Sequence, residues 1–290
     1  MKKDQLSLYQ GILFNNEKLL NGEKKLNISY FFDHPNYTRM YNEYYVDQLT
    51  KDLPTIYKTS IIMSHFLSKI SFELLDDFDY EYNSFEILNL SYENEKKKLP
   101  FNKAIKLFHD LLMSARIKSR RIRLYPYSVY DQRSHEVIEV FDEELNKWVM
   151  FDFLNCAVLF DIDKKPLSLL EIRSKLAHKE NIYLSSIGSN IKNPEKECKK
   201  SISYLTFLAQ FLTIFSISDI NSFVPNILNY FITPEHFDIK TYMEERYKMI
   251  LGTFKETKNK DTNMYVSRIK KERESFRENK IKLISFRELE

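Results

Sequence analysis

The stretch from His135 to Phe153 reads HEVIEVFDEELNKWVMFDF. Residues alternate between the two sides of the chain over His135–Phe141 and again over Trp148–Phe153. This is the period of a β-strand, whose successive side chains point to opposite faces. The polar segment Asp142–Leu145 between them reads as the turn of a hairpin. The spacing predicts that Phe141 pairs with Asn146, Glu139 with Trp148, Val137 with Met150, and His135 with Asp152. Directly opposed residues on such a pair have Cβ atoms about 4.5–5.5 Å apart, close enough for an imidazole–carboxylate hydrogen bond. A bulge of one residue would spoil this register.

Upstream, Arg121–Tyr125 alternates in the same way, with Arg121 and Arg123 on one face and Ile122 and Leu124 on the other. Before it, Pro100 stands where helices begin, and Phe101–Ser114 is apolar around most of its circumference, as a buried helix is. Tyr57–Leu75 carries Ile61, Ile62, Phe66, Leu67, Ile70 and Leu74 at helical spacing, and Ser84–Tyr92 reads as a short helix. Downstream, Pro166–Leu176, Ser201–Ile217 and the tail from Thr241 read as helices. No period of about 20 to 50 residues repeats. Helices, then antiparallel strands, then helices predict an α+β fold, with the central buried helix packed on an antiparallel sheet. The expected organisation is an irregular or strand-like segment at 1–56, a core at 57–176, a helical extension at 177–254 and a charged helix at 255–290.

Composition limits the function classes. The chain has 290 residues, 43% of them hydrophobic, enough for a real core. A net charge of +3 implies no uniformly basic surface, so no nucleic-acid partner is expected. Cys156 and Cys198 form neither a disulfide framework nor a metal-ligand spacing. Asp76–Tyr82 reads as a solvated acidic loop, since it lacks a Gly-bearing calcium motif. With no phosphate-cradling loop, zinc motif or dinucleotide fingerprint, no cofactor is expected. Met1–Asn15 lacks the apolar core of a secretory signal, and the apolar run Tyr204–Ile217 is too short to cross a bilayer. The expectation is a cytoplasmic protein with no stable membrane association.

A carboxylate beside a histidine fixes the tautomer and stabilises the imidazolium, which is the orienting half of a nucleophile–base–orienter triad. A purely structural hydrogen bond would have the same sequence signature. The surrounding residues add a resemblance. Arg116–Arg120 with its strand, His135 followed by Glu139-Val140, Lys147-Trp148-Val149 before Asp152, and DIDKKPLSLLEIRSKL at Asp161–Leu176 together resemble the transglutaminase-like superfamily. The convincing part covers about residues 85–176, and bacterial members often carry the last of these segments. The resemblance implies a papain-type Cys–His–Asp fold, with His135 and Asp152 as the catalytic-type pair.

It also implies a cysteine at the start of the buried helix, where the helix N-terminus lowers a thiol's pKa. Spacing within the family puts that cysteine at Phe101, and Pro100, Phe101, Asn102 and Lys103 offer neither thiol nor hydroxyl. Conventional thiol acyl transfer is therefore not expected. Cys156 reads as a buried structural thiol, Cys198 as an incidental cysteine in a polar stretch, and His109 as a core histidine. Ser134 points away from His135.

Two expectations follow. The first is a non-catalytic protein that binds a polypeptide or peptide-like partner in an inherited groove lined by Phe101, Asn102 and Trp148. The alternative is an enzyme in which His135, oriented by Asp152, acts as general base on amide or ester bonds, as a hydrolase, ligase or cyclase. The basic tail, with eleven Lys or Arg against seven Asp or Glu over 255–290, reads as a solvated helix laced with ion pairs. Arg116, Lys118, Arg120, Arg121 and Arg123 read as a polar sheet face or as partners of internal carboxylates.

Overall fold

The computed structural model describes residues 2–22, 26, 28, 30–68, 72–73, 84, 86, 89, 99–186, 194–218, 229–253, 260–278 and 282–289. Helices α1 (Lys2–Asn15), α2 (Pro35–Glu43), α3 (Val46–Thr50) and α4 (Thr55–Leu67) come first. They precede a short parallel pair, β1 (Phe72–Glu73) and β2 (Leu99–Pro100). Helix α5 (Phe101–Ser114) leads into the strands β3 (Ser119–Tyr125), β4 (His135–Asp142), β5 (Lys147–Asp152) and β6 (Ala157–Phe160). Then follow α6 (Leu169–Ala177), β7 (Tyr183–Ser186), α7 (Pro194–Ala209), β8 (Ile214–Ser218), β9 (Asn229–Ile232), α8 (Ile239–Thr253), α9 (Lys260–Glu278) and β10 (Lys282–Leu283). A 3-10 turn at Phe286–Leu289 closes the described chain.

Among the described residues β3–β10 form one eight-stranded sheet in the order β10-β9-β8-β3-β4-β5-β6-β7. Helices cover both of its faces. On one side, Phe108, Leu111 and Leu112 of α5, with Met40 of α2 and Phe66 of α4, meet Ile138, Val140, Val149, Phe151 and Phe153. On the other, Val137, Met150, Ile122 and Leu124 meet Leu13 of α1, Ile172 and Leu176 of α6, and Leu208 of α7. A third cluster packs α8 and Ile269 of α9 on Tyr125, Ile214 and Phe231. Covering both faces is why β4 and β5 are buried along almost their whole length.

The α+β class and the packing of α5 on the sheet match the expectation. Several finer expectations do not hold. The sheet is not wholly antiparallel, because β10 runs parallel to β9. Among the described residues, the segment expected to be irregular or strand-like at 1–56 carries helices instead: α1 buries Leu13 among α6, α7 and the sheet, and α2 buries Tyr37 and Met40 against α5. The span 177–254 is not a purely helical extension, since β7, β8 and β9 lie within it. The helix expected at Ser201–Ile217 ends at Ala209, and Ile214–Ser218 joins β3 as an antiparallel strand. Ile214, Phe215 and Ile217 are buried there between the two helical layers, so tertiary contacts override a run that periodicity alone cannot separate from a buried helix. Most of Ser84–Tyr92, and all of Asp76–Tyr82, lie outside the described residues.

The hairpin register is also shifted. Phe141 pairs with Trp148, Val140 with Val149, Glu139 with Met150 and Ile138 with Phe151, two residues away from the expected register. The cause is the turn. The Asp142 carboxylate accepts the Leu145 N–H at 2.8 Å, and Asn146 adopts a left-handed φ of 50°. Asp142 and Lys147 thereby become the closing pair. Because a strand repeats every two residues, this slip leaves every side chain on its expected face.

Candidate functional site

His135 opens β4 and Asp152 closes β5. Continuing the observed ladder sets Asp152 across from Val137, so His135 and Asp152 are diagonal neighbours on one face. Diagonal Cβ atoms stand about 7–8 Å apart, a gap that an imidazole spans. The imidazole Nε2 lies 2.7 Å from Asp152 Oδ2. The expected pair therefore forms, though by a diagonal contact.

Three further donors converge on the same carboxylate. Tyr204 of α7 donates its hydroxyl to Oδ2 at 2.9 Å. Asn155 gives Oδ2 its side-chain N–H at 2.9 Å and Oδ1 its backbone N–H at 3.1 Å. Burial pushes the Asp152 carboxyl up, but the His135 charge and the hydrogen bonds from His135, Asn155 and Tyr204 outweigh it and hold it below the usual carboxylate value. Burial, and next the adjacent Asp152 charge, raise the Tyr204 phenol well above its ordinary value, so it stays a donor.

The pair is sealed. His135 is 2% exposed and Asp152 not at all. Phe207 of α7 meets the imidazole edge-on, with ring centroids 5.0 Å apart, and Phe211 lies at 6.1 Å. Tyr204, Phe207 and Phe211 share one side of the α7 segment, which presents a hydroxyl to the carboxylate and two rings to the imidazole. In sequence this segment shows only as an apolar helical run, with no sign that it covers the pair. Its signal was an aromatic triplet at spacings of three and four, which is equally common on any core-facing helix.

The remaining site residues disperse. Cys156 packs on the α5 side of the sheet, opposite His135, and takes a left-handed φ of 50°. His109 is buried in α5, with Nε2 3.2 Å from the Ser119 carbonyl. Phe101 and Asn102 begin α5, but their side chains, like that of Cys198, lie outside the described residues. Trp148 does not flank the pair: its partner Phe141 is six residues from His135 along β4, roughly 20 Å at about 3.3 Å per residue. Trp148 is buried beneath the Arg120 guanidinium, which lies 3.7 Å from its ring centroid.

Glu139, read from sequence only as part of the histidine strand, has a structural task. Its Oε2 accepts both Nε and Nη2 of Arg120, and its Oε1 accepts the Leu169 N–H at the start of α6. Among the described residues, no group of three His, Cys, Asp or Glu side chains is placed to hold a metal ion. No helix described is long and apolar enough to cross a membrane. No family model matches this sequence, and none of the curated proteins matches it either.

Proposed function

We propose that this chain is a non-catalytic relative of the transglutaminase-like proteins that binds a polypeptide or peptide-like partner in the cytoplasm, with its His–Asp pair serving as an internal polar staple. The observation that carries the non-catalytic part is the closure of His135 by Phe207, Phe211 and Tyr204. A general base must come within about 2.6–3.2 Å of the proton it removes, directly or through one water. An imidazole only 2% exposed, with Phe207 and Phe211 against it, gives a substrate proton no open path to the ring. The sequence supports the same reading, since Pro100–Lys103 supply no nucleophile and Cys156 sits across the sheet. The polypeptide or peptide-like partner is inferred from the family resemblance alone.

Diethylpyrocarbonate labelling mapped by mass spectrometry tests the closure, with His236, whose side chain is 95% exposed, as internal standard. His135 is expected to stay unlabelled in the native protein and to label in Phe207→Ala. Labelling of native His135 at the His236 rate would revive the enzyme reading. Peptides selected from a display library on the native chain should bind His135→Gln equally well. Failure to select any saturable binder would remove the polypeptide partner.

A further inference from the structure

Lys118, just before β3, sits among three aromatic rings. Its ammonium lies 4.6 Å from the ring centroid of Phe141, 5.3 Å from that of Tyr30 and 5.5 Å from that of Trp148. A cation within about 6 Å of a ring centroid is held by the negative face of the π-system, and several rings around one point form a cage for ammonium groups. Three segments build this one: Tyr30 from the stretch before α2, Phe141 from the end of β4 and Trp148 from the start of β5. Phe141 and Trp148 are cross-strand partners whose rings meet at 70°, giving the cage two walls at a steep angle.

Two observations separate the cage from incidental packing. The Lys118 ammonium, on an exposed residue, has no carboxylate partner among the described residues, and the three ring faces are the groups that attract it there. The second cation nearby, Arg120 over Trp148, is already paired with Glu139 at 2.7 Å. An ordinary ammonium is also a weak occupant of such a site, because it keeps its strong hydration only by remaining partly in water.

We infer that Tyr30, Phe141 and Trp148 form a binding site for a methylated ammonium group, in which Lys118 is an internal occupant that the ligand displaces. A quaternary ammonium carries the same charge with weaker hydration and a larger apolar shell, so it gains more from three rings than Lys118 does. This inference supplies a chemistry for gripping the proposed partner, and rests on that proposal only in taking the ligand to be a methylated lysine on a polypeptide rather than a free quaternary amine.

Trp148 is the single tryptophan of the chain, so its fluorescence reports on the cage directly. The full chain is titrated with tetramethylammonium chloride against sodium chloride at matched ionic strength, as wild type and as Lys118→Ala. The expected result is a saturable change in Lys118→Ala with a midpoint about tenfold below that of the wild type. It should disappear in Lys118→Ala/Tyr30→Leu, whose circular dichroism and melting should match the single variant. No saturable response in Lys118→Ala, or an equal response to the uncharged tert-butyl compound 3,3-dimethylbutanol, overturns the site. A trimethyllysine peptide binding more tightly than both its unmodified form and tetramethylammonium assigns the ligand to a polypeptide. Equal binding of the free cation and the trimethyllysine peptide keeps the cage and overturns the polypeptide source.

Discussion

Arg120 and Glu139 face each other as direct partners across β3 and β4, and the guanidinium donates two hydrogen bonds to one carboxylate oxygen inside a fully covered sheet. Both side chains are only 1% exposed. Arg120 also donates to the Leu289 carbonyl at 2.7 Å and lies on Trp148, while Glu139 caps α6 at Leu169. One ion pair thereby ties together two strands, a helix start and the closing 3-10 turn.

Replacing one partner leaves the other charge buried and unpaired, which costs about 3–5 kcal/mol. Arg120→Met is expected to lose stability on that scale in urea unfolding, and Arg120→Met/Glu139→Gln to recover much of it. The single variant should also speed amide exchange in Ile284–Leu289, since the Leu289 carbonyl loses its donor. A loss below about 1 kcal/mol would show that the pair is solvated.

The His135–Asp152 pair makes a similar prediction with a pH signature. Asp152→Asn keeps the shape but removes the charge that His135, Tyr204 and Asn155 address, and should cost about 2–3 kcal/mol by the usual value of hydrogen bonds to charged groups. Because the folded-state carboxyl is held below its ordinary value, its contribution is complete above the unfolded carboxylate range near 3.9 and is lost as pH falls through the lower folded value. Unfolding free energy measured from pH 6 down to pH 2 should therefore drop more steeply for wild type than for Asp152→Asn. Parallel curves would mean that the carboxylate is not stabilised by the fold.

Glu244 of α8 is clasped by Arg273 and Arg277 of α9, at 2.8 and 2.6 Å. The Arg277 hydrogen bond, opposed by burial and reinforced by Arg273, brings its carboxyl down to about 2. The clasp should be intact above pH 4.5 and loosen as pH falls toward 2. Glu244→Gln should reproduce that loosening at neutral pH, seen as faster amide exchange confined to Lys260–Glu278, with little change in global stability. Uniform faster exchange across the sheet would contradict the clasp as a local device.

Ser168 starts α6 with a reciprocal capping box: its hydroxyl accepts the Glu171 N–H, and Glu171 Oε2 accepts the Ser168 N–H at 2.7 Å. Ser168→Ala is expected to cost about 1 kcal/mol in urea unfolding, the usual worth of an N-cap. An unchanged midpoint would place the stability of α6 in the Glu139 contact instead.

Much of this architecture was legible from local patterns. The alternation over His135–Phe153 gave both strands and placed every side chain on its correct face, because parity survives a slip of two residues. The all-round apolar character of Phe101–Ser114 gave the buried helix for the same kind of reason. The turn was harder: whether Asp142 closes the hairpin or begins its loop depends on one side-chain hydrogen bond and one left-handed asparagine. The strand Ile214–Ser218 is not legible at the end of the helical run from Ser201, since a short apolar run has no period that separates a buried strand from a buried helix. Helix α1 is not legible in sequence because its packing face, around Leu13, is too sparse to stand out.

The sequence by itself determined the central hairpin, the shared sheet face of His135 and Asp152 and the lack of a thiol at Pro100–Lys103, because each depends on neighbouring residues or on a fixed strand period. Only the tertiary structure decided that the pair is closed. Tyr204, Phe207 and Phe211 lie some 50 to 75 residues beyond Asp152 and His135, and nothing local to either segment records that α7 folds back over the start of β4. The same holds for Lys118 among Tyr30, Phe141 and Trp148: three stretches distant in sequence become one cage only when the sheet and its flanking chain assemble. Burial and long-range contact are properties of that assembly, set by which apolar faces find one another, and no single segment encodes them.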